Sequence, residues 1–118
     1  FNTSAQRFKR CLTEDVELHG QPMKAGDFVM LCYGSANRDE RMFANPDVYD
    51  ITRRPKRHLG FGGGVHSCLG AMLARVATEV VFDEFLTAVP DFTRVDQTLP
   101  WVPSSNFRSP QVLRFARG

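Results

Sequence analysis

Only three cysteines occur in 118 residues, and their odd, wide spacing (Cys11, Cys32, Cys68) argues against a disulfide framework and for a reducing, cytoplasmic setting. No Cys-x-x-Cys pair is present to start a zinc site. The chain has no apolar run of membrane-spanning length, no signal-peptide pattern, no internal repeat and no low-complexity tract. Charge is also nearly balanced. A net charge of +2 is too small to argue for a nucleic-acid partner. What remains is one domain's worth of chain at most, with 42% hydrophobic residues and ten Phe, enough to predict a packed core. The chain starts at Phe1 rather than Met, so a preceding segment is expected to be missing.

The informative stretch is Phe61-Gly62-Gly63-Gly64-Val65-His66-Ser67-Cys68-Leu69-Gly70. It places a thiol at the mouth of a glycine-rich loop, directly before a long amphipathic pattern. A helix start offers unpaired N–H groups and the positive end of the macrodipole, which favours the thiolate by roughly 0.3–2 kcal/mol. Glycines allow positive φ and leave a surface against which a flat, bulky group can lie. An anionic sulfur on such a platform suits an axial haem ligand. Other readings of the stretch are weaker. A dinucleotide fingerprint needs glycine where Ser67 stands. A zinc site would have to join His66 and Cys68 to Cys11, Cys32, His19 or His58, all distant in sequence. A Cys68–His66 nucleophile pair has no evident orienting acid. Cys11 and Cys32 are expected to be buried structural cysteines.

The pattern Phe-x-x-Gly-x-x-x-Cys-x-Gly, met by Phe61, Gly64, Cys68 and Gly70, resembles the haem-binding signature of the cytochrome P-450 family, the haem-thiolate monooxygenases. The resemblance implies a mainly α fold with small β-sheets, and haem b (iron protoporphyrin IX) as cofactor. It makes Cys68 the iron ligand, whose thiolate pushes electron density onto the metal. Phe61 would shield the sulfur, and the N–H groups of Leu69 and Gly70 would donate to it. Family members are several times longer, so residues 1–118 would be the C-terminal part of a single domain. The isolated chain is then expected to be inactive, because the oxygen-activating helix and the Glu-x-x-Arg helix lie outside it. Phe1-Asn2 would follow directly on the latter. The alternative is a non-catalytic haem-binding or interaction module derived from the family.

Along the chain, residues 6–13 read as a strand, and Val16–His19 with Pro22–Lys24 as a hairpin turning at Gly20-Gln21. Phe28–Tyr33 reads as a buried strand. A short helix follows over Gly34–Arg38, then a meander from Asp39 to Leu59. The strongest period, Leu69, Met72, Leu73, Val76, Ala77, Val80 and Val81 opposite Arg75, Glu79 and Asp83, predicts a helix from 69 to 89, stopped by Pro90. Short strands are expected at 92–95, 99–102 and 111–115, with a turn at Pro103–Asn106.

By family position, Arg10 pairs with a haem propionate, as guanidinium suits carboxylate. His66 is the second such candidate and His58 a weaker third, with Arg7 the fallback for Arg10. Val48 stands where many relatives carry Arg, which leaves Arg53 or Arg54 to meet the Glu-x-x-Arg helix. Substrate contacts would come from the loop of Thr3, Ser4 and Ala5 and the turn of Ser105, Asn106 and Phe107. The basic cluster Arg53–His58, together with Arg75, is either a solvated face or a docking surface for an acidic electron donor. The resemblance to soluble bacterial members implies a ferredoxin with its reductase as that donor. It also implies O2 and an apolar small molecule as substrates.

Overall fold

The structure, a computed structural model, describes residues 3–54 and 57–118. Pro55 and Lys56 of the basic cluster, and Phe1-Asn2, lie outside the described residues. In chain order the elements are β1 (Arg7–Cys11), β2 (Val16–Leu18), β3 (Gln21–Met23), β4 (Phe28–Cys32), α1 (Tyr33–Ala36), a 3-10 turn (Gly64–His66), α2 (Ala71–Ala88), β5 (Phe92–Arg94) and β6 (Phe115–Arg117). The strands form three antiparallel pairs, β1–β4, β2–β3 and β5–β6. One long helix beside small sheets is the fold class the sequence implies. The chain divides into two compact units: Phe1–Gly60 with Ser104–Phe107, and Phe61–Pro103 with Arg108–Gly118.

In the first unit the β1–β4 register opposes Phe8 to Leu31 and Arg10 to Val29, while Arg7, Lys9 and Cys11 point to the other face. Phe8 packs on Tyr33 (ring centroids 5.8 Å apart) and edge-on to Phe107 (6.0 Å). On the opposite face the Lys9 ammonium lies 3.6 Å from the centroid of the Phe28 ring. The β2–β3 hairpin turns through His19 and Gly20, at φ 52° and 78°. Two consecutive positive φ values match the right-handed twist of the strands. The turn lies one residue earlier than the sequence suggests.

The meander is organised by side chains bonding to backbone. The Arg53 guanidinium donates to the carbonyls of Ala44, Asn45 (2.8 Å) and Val48 (3.1 Å), whereas Arg54 is exposed. The Asp39 carboxylate accepts from the Arg41 side chain at 2.6 and 2.9 Å and from the Arg41 N–H at 2.9 Å. The Asn37 carboxamide accepts the Leu59 N–H at 2.7 Å.

In the second unit α2 is anchored at its C-terminal end. Phe85, Phe92 and Phe115 meet edge-on or tilted, with centroids 5.0–5.8 Å apart. The Val89 N–H closes on the Phe85 carbonyl at 2.8 Å, and Pro90 ends the helix. Three expectations fail. The 99–102 segment contributes only a bridge between Trp101 and Pro110, since Pro100 and Pro110 have no N–H to extend a ladder. The last strand begins at Phe115, later than expected, because the Asp96 carboxylate takes the Arg114 N–H at 2.9 Å. Burial is the third. Tyr33 is the one buried hydrophobic residue among those described, while Phe28, Met30, Cys11 and Cys32 are exposed.

Two outcomes are expected from the meander. In the full-length protein Arg53→Ala lowers stability to denaturant by about 1–2 kcal/mol after allowing for solvent, Arg53→Lys recovers less than half, and Arg54→Ala has little effect. The hydrogen bonds from Arg41 hold the Asp39 carboxyl down, from 3.8 to about 2. Their stabilising contribution is therefore complete above about pH 4 and lost as pH falls through 2. A carboxyl-carbon NMR titration should find that midpoint, and Arg41→Gln should return it toward 3.8.

Candidate functional site

The glycine-rich segment is a loop closed on itself. The Cys68 N–H donates to the Phe61 carbonyl at 2.8 Å, joining its two ends. Between them the chain reverses at Gly62 (φ +71°), runs extended through Gly63, and reverses again at Gly64 (φ +60°) into the 3-10 turn. A Cβ on Gly62 would lie 2.8 Å from the His66 carbonyl oxygen, too close to be tolerated, whereas one on Gly64 meets nothing within 4 Å. The first glycine is required by the loop itself. The second leaves an open backbone surface. Ser67 locks the turn by donating both its N–H (3.1 Å) and its hydroxyl (2.9 Å) to the Gly64 carbonyl.

Cys68 emerges from this loop exposed, between Val65 and Leu69, which are 96% and 102% exposed. The Ala71 N–H reaches back to the Cys68 carbonyl at 3.2 Å, and α2 begins with Gly70 as its N-cap. A Cβ on Gly70 would lie 3.9 Å from the Cys68 sulfur. No side chain caps the helix and no acid occupies its first turn, so no carboxylate competes for its positive end. Among the described residues no group of three or more His, Cys, Asp or Glu is positioned to hold a metal. A single thiol flanked by exposed apolar side chains and bare glycine backbone suits a metal whose other donors belong to a flat apolar group. The residues present fit haem on those grounds.

The remaining candidates distribute as follows. Phe61 is half-buried, and the Arg75 guanidinium carbon lies 5.2 Å from its ring centroid. His66 is exposed on the 3-10 turn. In the first unit Arg10 is half-buried on the Phe8 face of β1, and its guanidinium donates to the Lys9 carbonyl at 3.0 Å. Arg7 lies on the opposite face, its Nε donating to the Ser105 carbonyl at 2.5 Å. Strand alternation thus separates the two arginines. The His58 imidazole Nδ1 accepts the Gly60 N–H at 3.1 Å.

The two segments expected to contact substrate come together in the first unit. Ala5 bridges to Phe107, the Gln6 N–H donates to the Asn106 carbonyl at 2.7 Å, and Ser4 is exposed beside them. Ser104 Oγ fixes the turn by accepting the N–H groups of Asn106 (3.3 Å) and Phe107 (3.1 Å). The sequence pattern did not single out Gly62. Three identical neighbours offered no signal as to which one the backbone could not replace.

Known proteins match this arrangement closely. The family described as Cytochrome P450 matches residues 1–89. Cytochrome P450-terp of a Pseudomonas species is 54% identical over 79 residues, covering 67% of this chain and 18% of that protein. Nocardicin C N-oxygenase of Nocardia uniformis subsp. tsuyamanensis is 45% identical over 112 residues, covering 93% of this chain and 28% of its own. The crystal structure of P450BioI with an acyl carrier protein ligated to hexadec-9Z-enoic acid superposes on 99% of this chain and 30% of its own, with TM-score 0.94 and 36% identity. The chain thus spans under a third of the length of these relatives, and the thiol loop, α2 and the β1–β4 and β2–β3 pairs lie within the residues that match the family. It belongs to the cytochrome P450 family.

Proposed function

We propose that this chain is the thiolate-bearing, C-terminal portion of a haem monooxygenase whose full-length parent inserts one oxygen atom of O2 into an apolar small molecule. The observation that carries the reading is the exposed Cys68 thiol, held by the closed loop between Val65 and Leu69 at an uncapped helix start. Haem b, when bound, supplies the one-electron and O2 chemistry. Cys68 holds its iron. The Leu69 and Gly70 N–H groups tune the sulfur, Phe61 shields it, and Gly64 gives the backbone platform. Arg10 and His66 each anchor a propionate. Arg10 is favoured over Arg7, whose guanidinium is already engaged with Ser105 on the other strand face. Arg53, tied to three meander carbonyls, is favoured over Arg54 as the partner of the Glu-x-x-Arg helix.

The paired segments of Ser4-Ala5 and Asn106-Phe107 border the substrate. An N-oxygenase and a protein crystallised with a fatty-acyl carrier both resemble this chain, so the shared part speaks for the haem chemistry rather than for one substrate. Electrons come from a ferredoxin and its reductase in the cytoplasm. Among the described residues no helix is long and apolar enough to cross a membrane.

The test uses the full-length parent. Reduced and exposed to CO, it should show the strongly red-shifted Soret band of thiolate ligation, and Cys68→Ser should abolish it. Persistence of the band in that variant refutes the assignment. Haem binding without turnover of any apolar substrate would favour the non-catalytic module.

The glycines separate loop folding from haem contact. Gly62→Ala should destabilise even the haem-free parent, by at least ~2 kcal/mol in a denaturant titration, because its Cβ meets the His66 carbonyl. Gly64→Ala should cost the haem-free protein only about 1–2 kcal/mol for its positive φ. It should also speed haem loss to a scavenging apoprotein beyond what that destabilisation explains.

A further inference from the structure

Arg75 stands out because of the partner it takes. Its position on α2 offers Glu79 one turn on, the spacing at which side chains on a helix surface meet. Among the described residues, however, Arg75 forms no ion pair. Its guanidinium lies instead over the Phe61 ring, within the range of a cation–π contact. A planar, delocalised cation suits an aromatic face better than an ammonium does.

Phe61 is in turn the residue whose carbonyl receives the Cys68 N–H at 2.8 Å. The loop's first residue is therefore held at its backbone by Cys68 and at its ring by Arg75. The grip runs from the body of α2 back to the start of the loop, so the rotation of the Phe61 ring and the approach of the loop to the helix are set together. It also holds a permanent positive charge on the side of α2 that carries the thiol loop.

We infer that Arg75 is a positioning residue for the Cys68 ligand: it clamps Phe61 over the loop and, through that clamp, raises the reduction potential of the iron that Cys68 would hold. The inference rests on the proposed thiolate ligation. Its sign follows from electrostatics. A cation beside the loop that carries an anionic ligand offsets part of its charge and favours the reduced metal, and the Phe61 ring fixes where that cation stands. A docking role for Arg75 would instead change association with the electron donor, which an equilibrium potential does not register.

The experiment is a double-mutant cycle on the haem-loaded, full-length parent, with the ferric/ferrous midpoint potential read by spectroelectrochemistry without any donor protein. The CO-complex band of each variant is recorded alongside. Arg75→Leu should shift the equilibrium toward ferric iron by up to about tenfold, a fall of about 59 mV for one electron. Arg75→Lys, which keeps the charge and loses the planar stack, should fall between. In a Phe61→Leu background the Arg75→Leu shift should shrink to less than half, because the clamp is already gone. An unchanged potential in Arg75→Leu overturns the inference. So does a shift of equal size with and without Phe61, which would mean a charge acting alone. Arg75 is exposed, so loss of fold is not expected; should Arg75→Leu fail to load haem, Arg75→Lys and Arg75→Gln carry the same comparison. If the unsubstituted parent itself lacks the thiolate band, the ligation reading fails, and this inference with it. If the band is present and the cycle shows no coupling, only the inference fails.

Discussion

The hydrogen bond from the Cys68 N–H to the Phe61 carbonyl is the constraint on which the site depends. It closes a loop containing three consecutive glycines, the residues that lose most conformational freedom on ordering. Such a segment does not hold a shape by propensity. It holds one here because the tie is seconded by Ser67, which spends two donors on the Gly64 carbonyl, and by the Gly62 reversal, where any larger residue would strike the His66 carbonyl. The thiol is then delivered just ahead of the Gly70 N-cap of α2, on a loop held by backbone bonds and by the Ser67 hydroxyl.

The helix beyond is fixed at its ends and bare between them. The Phe85–Phe92–Phe115 cluster secures the C-terminal end, and the loop secures the start. Met72, Leu73, Val76, Val80 and Val81 are each more than half exposed. Burying a side chain of that size is worth about 1.5–3 kcal/mol, so a helix carrying five of them is built to be covered. In the longer parent proposed here, other helices would supply that cover. The same applies to Phe28 and Met30 on β4.

These contrasts explain what could be read from the residues. Element types were legible wherever a local rule decides them: the 3.6-residue period for α2, alternation for β1, a Gly-containing two-residue turn for the hairpin. The thiol loop was legible because its glycine spacing and its cysteine serve one geometry. Burial was not legible. Composition reports how much apolar surface a chain carries and not which surfaces its own length can cover, so Cys11, Cys32 and β4 were expected inside and are exposed. The strand expected at 99–102 failed on a detail of covalent chemistry, prolines facing positions that need N–H donors. The arginines were separable in part. Alternation along β1 divides Arg7 from Arg10, but only the folded structure shows Arg53 gathering three carbonyls while Arg54 is exposed.

The sheet topology has a further consequence. Each described strand has a single partner, so all six are edges, and each presents one flank of N–H and C=O groups with no ladder to join. Pro22 blunts one of them, having no N–H to offer, and Arg7, Lys9 and Arg10 guard β1 with charge; β4, five residues with no charged side chain, carries no such guard. Separated from a larger protein, these 118 residues would therefore be an adhesive object, recruiting strands from neighbouring copies at their flanks. Handling them apart from the parent is a problem of colloidal stability before it is one of enzymology.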